Sequence, residues 1–215
     1  MKIDLHCHTK YSNDNCLEPE RLIQDAIRRD LDGVCITEHN SLLPSGVLAE
    51  IEIPEGFHVF RGVEISTDHG HLLVYGLKEY SWKLWSRNRS LNLFDVIEGV
   101  HEFGAVCAAA HPYRSVESFG DEVLWIEGFD AIETHNGLNP EEANRKARAA
   151  AAGRKLPMIG GSDCHHRGEA GRSFTVFQYP VQTMDELVEE IKVGRCEGMS
   201  FDGLSSEELL RESSF

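Results

Sequence analysis

Apolar residues recur along this chain in two rhythms, one alternating and one helical. Ile3 and Leu5 alternate with Asp4 and His6, the period-two pattern of a short strand. Residues two apart in a strand share a face, so His6 and His8 present their imidazoles side by side. Residues 33–37 read as a second, buried strand ending at Glu38-His39-Asn40, and residues 58–63 as a third ending at Glu64. Asp68-His69-Gly70 reads as a turn into a fourth strand over His71–Tyr75. Further strands over 105–110, 129–132 and 157–161 lead to His111-Pro112, Glu133-Thr134-His135 and Ser162-Asp163-Cys164-His165, and 174–177 is the last. Helical spacing fills the gaps. Pro19 opens a helix with Leu22, Ile23, Ala26 and Ile27 on one face, and residues 41–50 suggest a shorter one broken by Pro44 and Gly46. Leu93, Phe94, Ile97 and Val100 mark another. Asn139-Pro140 starts a helix with an N-cap candidate, and Thr183 to Glu186 fits a capping box.

Strands alternating with helices predict a parallel α/β architecture. Polar residues gathered at the C-terminal ends of at least five strands favour a barrel over an open sheet, because barrel sites form at that rim. One domain over 1–200 is expected, followed by a tail over 201–215 that adds a short helix.

Hydrophobic and charged fractions of 41% and 27% are ordinary for a soluble globular protein. No apolar run is long enough to span a bilayer and no basic, cleavable leader precedes Met1-Lys2, so a cytoplasmic protein is expected, with no membrane partner. The six cysteines form no Cys-x-x-Cys pair and read as reduced, mostly packing residues, Cys7 and Cys164 among them. A net charge of -15 disfavours long nucleic acid but not a small phosphorylated substrate, since divalent cations reverse the local sign.

The candidate ligands are His6, His8, Asp14, His39, Glu64, His71, His111, Glu133, Asp163 and His165. Imidazole and carboxylate suit zinc, manganese or iron(II), and a carboxylate can bridge two ions. So many ligands exceed one four-coordinate site and fit two or three divalent ions.

Five pieces of the chain carry a family resemblance: Asp4-Leu5-His6-Cys7-His8-Thr9, Ile36-Thr37-Glu38-His39-Asn40, Gly62-Val63-Glu64-Ile65-Ser66, Ala110-His111-Pro112 and Gly161-Ser162-Asp163-Cys164-His165. In this order they resemble the PHP family, named after polymerases and histidinol phosphatase. The resemblance implies a distorted (β/α)7 barrel with its active site at the C-terminal rim, up to three divalent metals, and phosphoesterase activity. It implies one ion on His6, His8, Glu64 and Asp163 and a second on Asp14, His39 and His165. A third would share Glu64 with His71 and His111, with Glu133 nearby. Asn13 competes with Asp14, and His69 with His71. Glu38 stands where many relatives have Asp.

The expected reaction is hydrolysis of a phosphate ester of a small metabolite, a nucleotide or a short oligonucleotide, by water that the metals activate. Asp163 or His165 could move protons, and His135 could serve the leaving group as an acid. Arg114, Arg167 and Arg172 lie just beyond ligand-bearing strand ends and are candidates for gripping phosphate. The Trp82-Lys83-Leu84-Trp85 stretch either packs or caps the site. An amidohydrolase cleaving C–N bonds and a non-catalytic metal-binding regulatory module are the competing readings.

Overall fold

Nine strands make one sheet in the order β7-β6-β5-β4-β3-β2-β1-β8-β9 in a computed structural model that describes residues 1–12, 14–79 and 91–201. They are β1 Lys2–Cys7, β2 Gly33–Ile36, β3 His58–Ser66, β4 His71–Tyr75, β5 Val106–Ala109, β6 Ala131–Asn136, β7 Met158–Gly161, β8 Ser173–Phe177 and β9 Cys196–Ser200. The helices are α1 Pro19–Arg28, α2 Ser45–Glu50, α3 Leu93–Glu102, α4 Glu141–Arg154 and α5 Met184–Lys192. Stretch 82–85 and the tail beyond Phe201 lie outside the described residues, as does Asn13. No described helix is long and apolar enough to cross a membrane.

The sheet curls until β7 returns to β1, giving a nearly closed α/β barrel. Cys7 and Cys164 form a parallel bridge, and the Asp163 amide donates to the His6 carbonyl at 2.7 Å. Glycine makes this closure possible. A Cβ on Gly161 would stand 2.4 Å from the His6 Cβ, so only a bare backbone lets the two strands approach. The Thr175 hydroxyl accepts from the Gly160 amide at 2.8 Å, which joins β7 to β8 as well.

Pairing is more mixed than an alternation of strands and helices predicts. β1–β2, β2–β3, β5–β6 and β6–β7 run parallel, while β3–β4, β4–β5, β1–β8 and β8–β9 run antiparallel. For β3–β4 and β4–β5 the cause is local: the turn 67–70 joins β3 to β4 as a hairpin, with Thr67 donating through its hydroxyl to the Gly70 carbonyl at 2.6 Å, so no crossover helix intervenes. Strand β9, with glycine and alternating polar residues, carried too little apolar signal to be anticipated.

Three buried apolar clusters hold the layers together. Leu22, Ile23 and Ala26 of α1 meet Val34 and Ile36 of β2, and Leu93, Val96 and Val100 of α3 meet Val63 and Val74. Leu187, Val188 and Ile191 of α5 meet Leu73, Tyr75 and Val106. Ile27 and Phe94, expected on buried faces, are 42% and 50% exposed. Each lies next to an inward residue on its helix, one step of about 100° too far round. Helix α3 is capped by Asn92, which accepts from the Phe94 and Asp95 amides at 3.1 and 3.3 Å. The capping box of Thr183 and Glu186 opens α5 as predicted. Helix α4 differs: Pro140 occupies its cap position and Asn139 sits one residue outside, donating to the Asn144 side chain at 3.3 Å.

Candidate metal centre

Strand ends deliver the candidate ligands. His6 and His8 lie at the end of β1, His39 follows β2, Glu64 is near the end of β3 and His71 starts β4. His111 follows β5, Glu133 is on β6, and Asp163 and His165 follow β7. Because β4 runs antiparallel to β3, its first residue arrives at the same rim as the strand ends.

Glu64 is the hub. Its Oε2 lies 2.9 Å from His39 Nδ1, 3.2 Å from His8 Nε2 and 3.4 Å from His6 Nε2. Its Oε1 lies 2.9 Å from both His71 Nδ1 and His111 Nε2. Asp163 Oδ1 approaches His6 and His8 at 3.4 and 3.3 Å, and Asp14 Oδ2 approaches His39 and His165 at 3.2 and 3.3 Å. The sets expected for three ions therefore meet in space. His69 turns away to pair with Glu122 at 2.7 Å, leaving His71 in the cluster.

The donor set fits divalent ions. His6 Nε2 and His8 Nε2 face each other 3.0 Å apart, which needs a proton or a cation between two lone pairs. Glu64 Oε2 is buried and receives no well-directed hydrogen bond among the described residues, although three ring nitrogens surround it. A buried carboxylate oxygen in that state is costly unless a positive charge sits within reach. Four overlapping groups, His8/His39/His165, His6/His8/Glu64, His6/His111/Asp163 and His39/Glu64/His71, each hold their ligand atoms within 4.8 Å of one another.

Electrostatics agree. Burial pushes an imidazole toward its neutral form, yet the Asp163, Glu133 and Glu64 charges outweigh it and hold His6 well above the ordinary range. Burial also opposes the charge on His8, but Asp163 and Glu64 push its pKa up to about 9. Burial would raise Glu64 and Asp163, and the charge on His6 instead holds both well below the usual carboxylate range. Protonated imidazoles thus occupy the electrostatic role of cations.

Several residues act from behind the ligands. Glu133 Oε1 lies 2.9 Å from His6 Nδ1, and its Oε2 accepts from the His111 amide at 2.7 Å and from Asn136 Nδ2 at 3.1 Å. Glu38 accepts from the Thr9 and Ser12 hydroxyls, and Ser12 Oγ accepts from the His39 amide at 3.1 Å. Asp4 accepts from the Ser162 and Gly171 amides, both at 2.8 Å, and burial raises its pKa despite those bonds. His111 and Asp163 have φ of 27° and 55°, left-handed conformations that non-glycine residues rarely adopt. Spacing along the sequence gives no hint of Ser12 or Asp4 as supports, because Glu38 and His39, and Ser162 and Gly171, are distant from them in the chain; Asn136 bonds Glu133 three residues away, but across an irregularity in β6 that alternation does not reveal.

Of the arginines, Arg114 reaches the centre: it pairs with Asp163 and donates to Asn136 Oδ1 at 3.1 Å and Asn139 Oδ1 at 3.2 Å. Arg172 instead faces Glu169 at 3.7 Å, and Arg167 lines a hollow beside His165. His135 lies beyond an irregularity in β6 and packs against Gly160 and Gly198 rather than turning into the cluster.

The PHP domain model matches residues 4–114, and the PHP-associated model matches residues 141–196. The chain belongs to the PHP domain family. This PHP chain is 29% identical over 150 residues to the uncharacterised protein MJ1587 of Methanocaldococcus jannaschii, covering 65% of this chain and 84% of that one. Its fold is similar to a two-domain Bacteroides vulgatus protein containing a predicted PHP-like metal-dependent phosphoesterase. That likeness has a TM-score of 0.70 and 20% identity and covers 98% of this chain and 68% of the other. It also resembles the lesion-specific endonuclease Q of Pyrococcus furiosus, with a TM-score of 0.68 and 19% identity, covering 92% of this chain and 57% of that one.

Proposed function

We propose that this PHP protein is a metal-dependent phosphoesterase acting on a small metabolite, a nucleotide or the end of a short oligonucleotide. The observation carrying this reading is Glu64, a buried carboxylate ringed by imidazole nitrogens and shared between ligand sets. One set is His6, His8, Glu64 and Asp163, a second is Asp14, His39 and His165, and a third is Glu64, His71 and His111. Two or three divalent ions, manganese, zinc or iron(II), would supply positive charge for phosphate oxygens and acidify water.

The chain's own groups do the rest. Glu133, expected among the ligands, serves better behind them: it accepts the Nδ1 proton of His6 and so leaves Nε2 free to ligate. His165 Nδ1 faces the Asp163 carbonyl at 2.9 Å, which directs its Nε2 toward Asp14. Arg114 sits at the mouth, where its guanidinium can swing from Asp163 to a phosphate oxygen of the ester. His165 is the better candidate to pass a proton to the departing alkoxide, because Asp163, expected to share that role, is held ionised beside His6 and His8. His135, packed outside the cluster, is given no part.

The test strips the protein with a chelator, reloads it with manganese, zinc or iron(II), and offers aryl phosphates, nucleotides and short oligonucleotides. The likeness to endonuclease Q supports including the last class. Metal-dependent release of phosphate or nucleotide, lost in Asp163→Asn, is the expected result. A fully loaded protein inert on that panel but active on amides or cyclic ureas would replace this reading with the amidohydrolase one.

A further inference from the structure

Beside the metal centre lies a hollow of about 430 Å³, lined by Cys16, Leu17, Glu18, Arg21, His165, His166 and Arg167. Its size is that of a small-molecule pocket, commonly about 300–1,000 Å³. His165 belongs to both the hollow and the ligand cluster, with its Nε2 3.3 Å from Asp14. The hollow is therefore a side chamber of the reaction centre.

Its charges are unbalanced. The Glu18 carboxylate is taken by Lys10 at 2.6 Å. Arg21 donates from Nη1 to Gln24 Oε1 at 3.3 Å and shares Asp25, at 3.4 Å, with Arg28 at 3.1 Å, while its buried Nε has no hydrogen-bond partner. Arg167 is exposed and forms no ion pair with the described residues. The hollow thus combines apolar lining from Leu17 and Cys16 with two incompletely matched guanidinium groups, in a chain whose net charge is -15. An unpaired Arg167 beside an Arg21 whose Nε lacks a hydrogen bond, in an acidic protein and next to the ligand cluster, suits an anion on an apolar body.

Building on the phosphoesterase reading, we infer that this hollow holds the organic part of the ester, and that Arg167 and Arg21 grip a second anionic group on it. The preferred substrate class is a phosphate monoester whose flat or apolar body carries a carboxylate or a further phosphate. The phosphate lies at the ligand cluster and the second anion lies past His165.

Two probes separate the possibilities: phenyl phosphate, and 4-carboxyphenyl phosphate with its second anion across the ring. The metal-loaded protein is expected to favour the carboxylated ester about tenfold in kcat/KM, the worth of one charge-assisted hydrogen bond. In Arg167→Ala that ratio should fall toward one. The exposed Cys16 offers a readout independent of turnover: Cys7, Cys35, Cys107 and Cys164 are buried, the half-buried Cys196 lines a different hollow, and peptide mass spectrometry separates its alkylation from that of Cys16. Bound 4-carboxybenzylphosphonate should slow alkylation of Cys16 by iodoacetamide, and do so less in Arg167→Ala. A ratio near one in the wild-type protein, or Cys16 alkylated at the same rate with and without the phosphonate, overturns the inference. If neither ester is hydrolysed, the wider panel of nucleotides and oligonucleotides decides the phosphoesterase reading, while failure of the phosphonate to protect Cys16 overturns the inference about the hollow.

Discussion

Glu133 Oε1 and His6 Nδ1 lie 2.9 Å apart, both buried. The contact fixes which nitrogen of His6 carries a proton and aims the other at His8 and Glu64. In Glu133→Gln the amide can present its nitrogen to His6 and reverse that assignment. Metal affinity is expected to drop about 10–100-fold, the usual consequence of losing a carboxylate behind a ligating histidine. Titration of the stripped protein with zinc, followed by competition with a chelator, measures it.

Glu64→Gln keeps the shape and removes the charge. Five imidazole nitrogens then surround a neutral group, and breaking a buried charge pairing typically costs about 3–5 kcal/mol. A lower melting temperature of the metal-free protein is expected. Elemental analysis should show the loss of more than one ion per chain, because both carboxylate oxygens belong to ligand sets.

The histidines make the metal-free protein pH-sensitive in a defined direction. His8 rises from 6.5 to about 9 on folding, so its contribution is fully present below 6.5 and fades as the pH passes about 9. Glu64 and Asp163 are held below their ordinary values, so their contribution is present above those values and is lost in acid. Thermal melts of stripped protein should therefore peak in mildly acidic solution and decline toward pH 10. Metal competes with the same protons, so metal affinity should strengthen as pH rises toward 9 and binding should release protons. Calorimetry in buffers of different ionisation enthalpy counts them.

Two glycines give opposite outcomes on alanine substitution. A methyl at Gly161 would meet the His6 backbone nitrogen at 2.5 Å, which forces β7 away from β1. Loss of about 3 kcal/mol or failure to fold is expected. Gly153, within α4, has nothing within 4 Å of the added methyl, so Gly153→Ala should gain about 0.5–1 kcal/mol. Chemical denaturation of both variants checks the contrast.

Most of the residues that meet at the rim were readable in the sequence because each ends or starts an apolar run, and a run's end is where a barrel presents chemistry. His6 with His8, His39, Glu64, His71, His111, Asp163 and His165 all carried that mark. Orientation was harder. Glu133 and His135 flank an irregularity in β6 that strand alternation does not reveal, so one supports His6 and the other packs against β7 and β9. The β3–β4 hairpin lay behind an ordinary turn signal, yet it converts half of the pairing to antiparallel together with β8 and β9. Asn136 and Ser12 were invisible because a polar residue announces its partner only once the chain has folded.

Elemental analysis of the purified protein after dialysis, with ions counted per chain, bears on all of this at once. Two or three manganese, zinc or iron ions per chain, falling together in Glu64→Gln, is the expected finding. A wild-type chain that retains at most one ion at saturating metal would contradict a shared cluster built on Glu64.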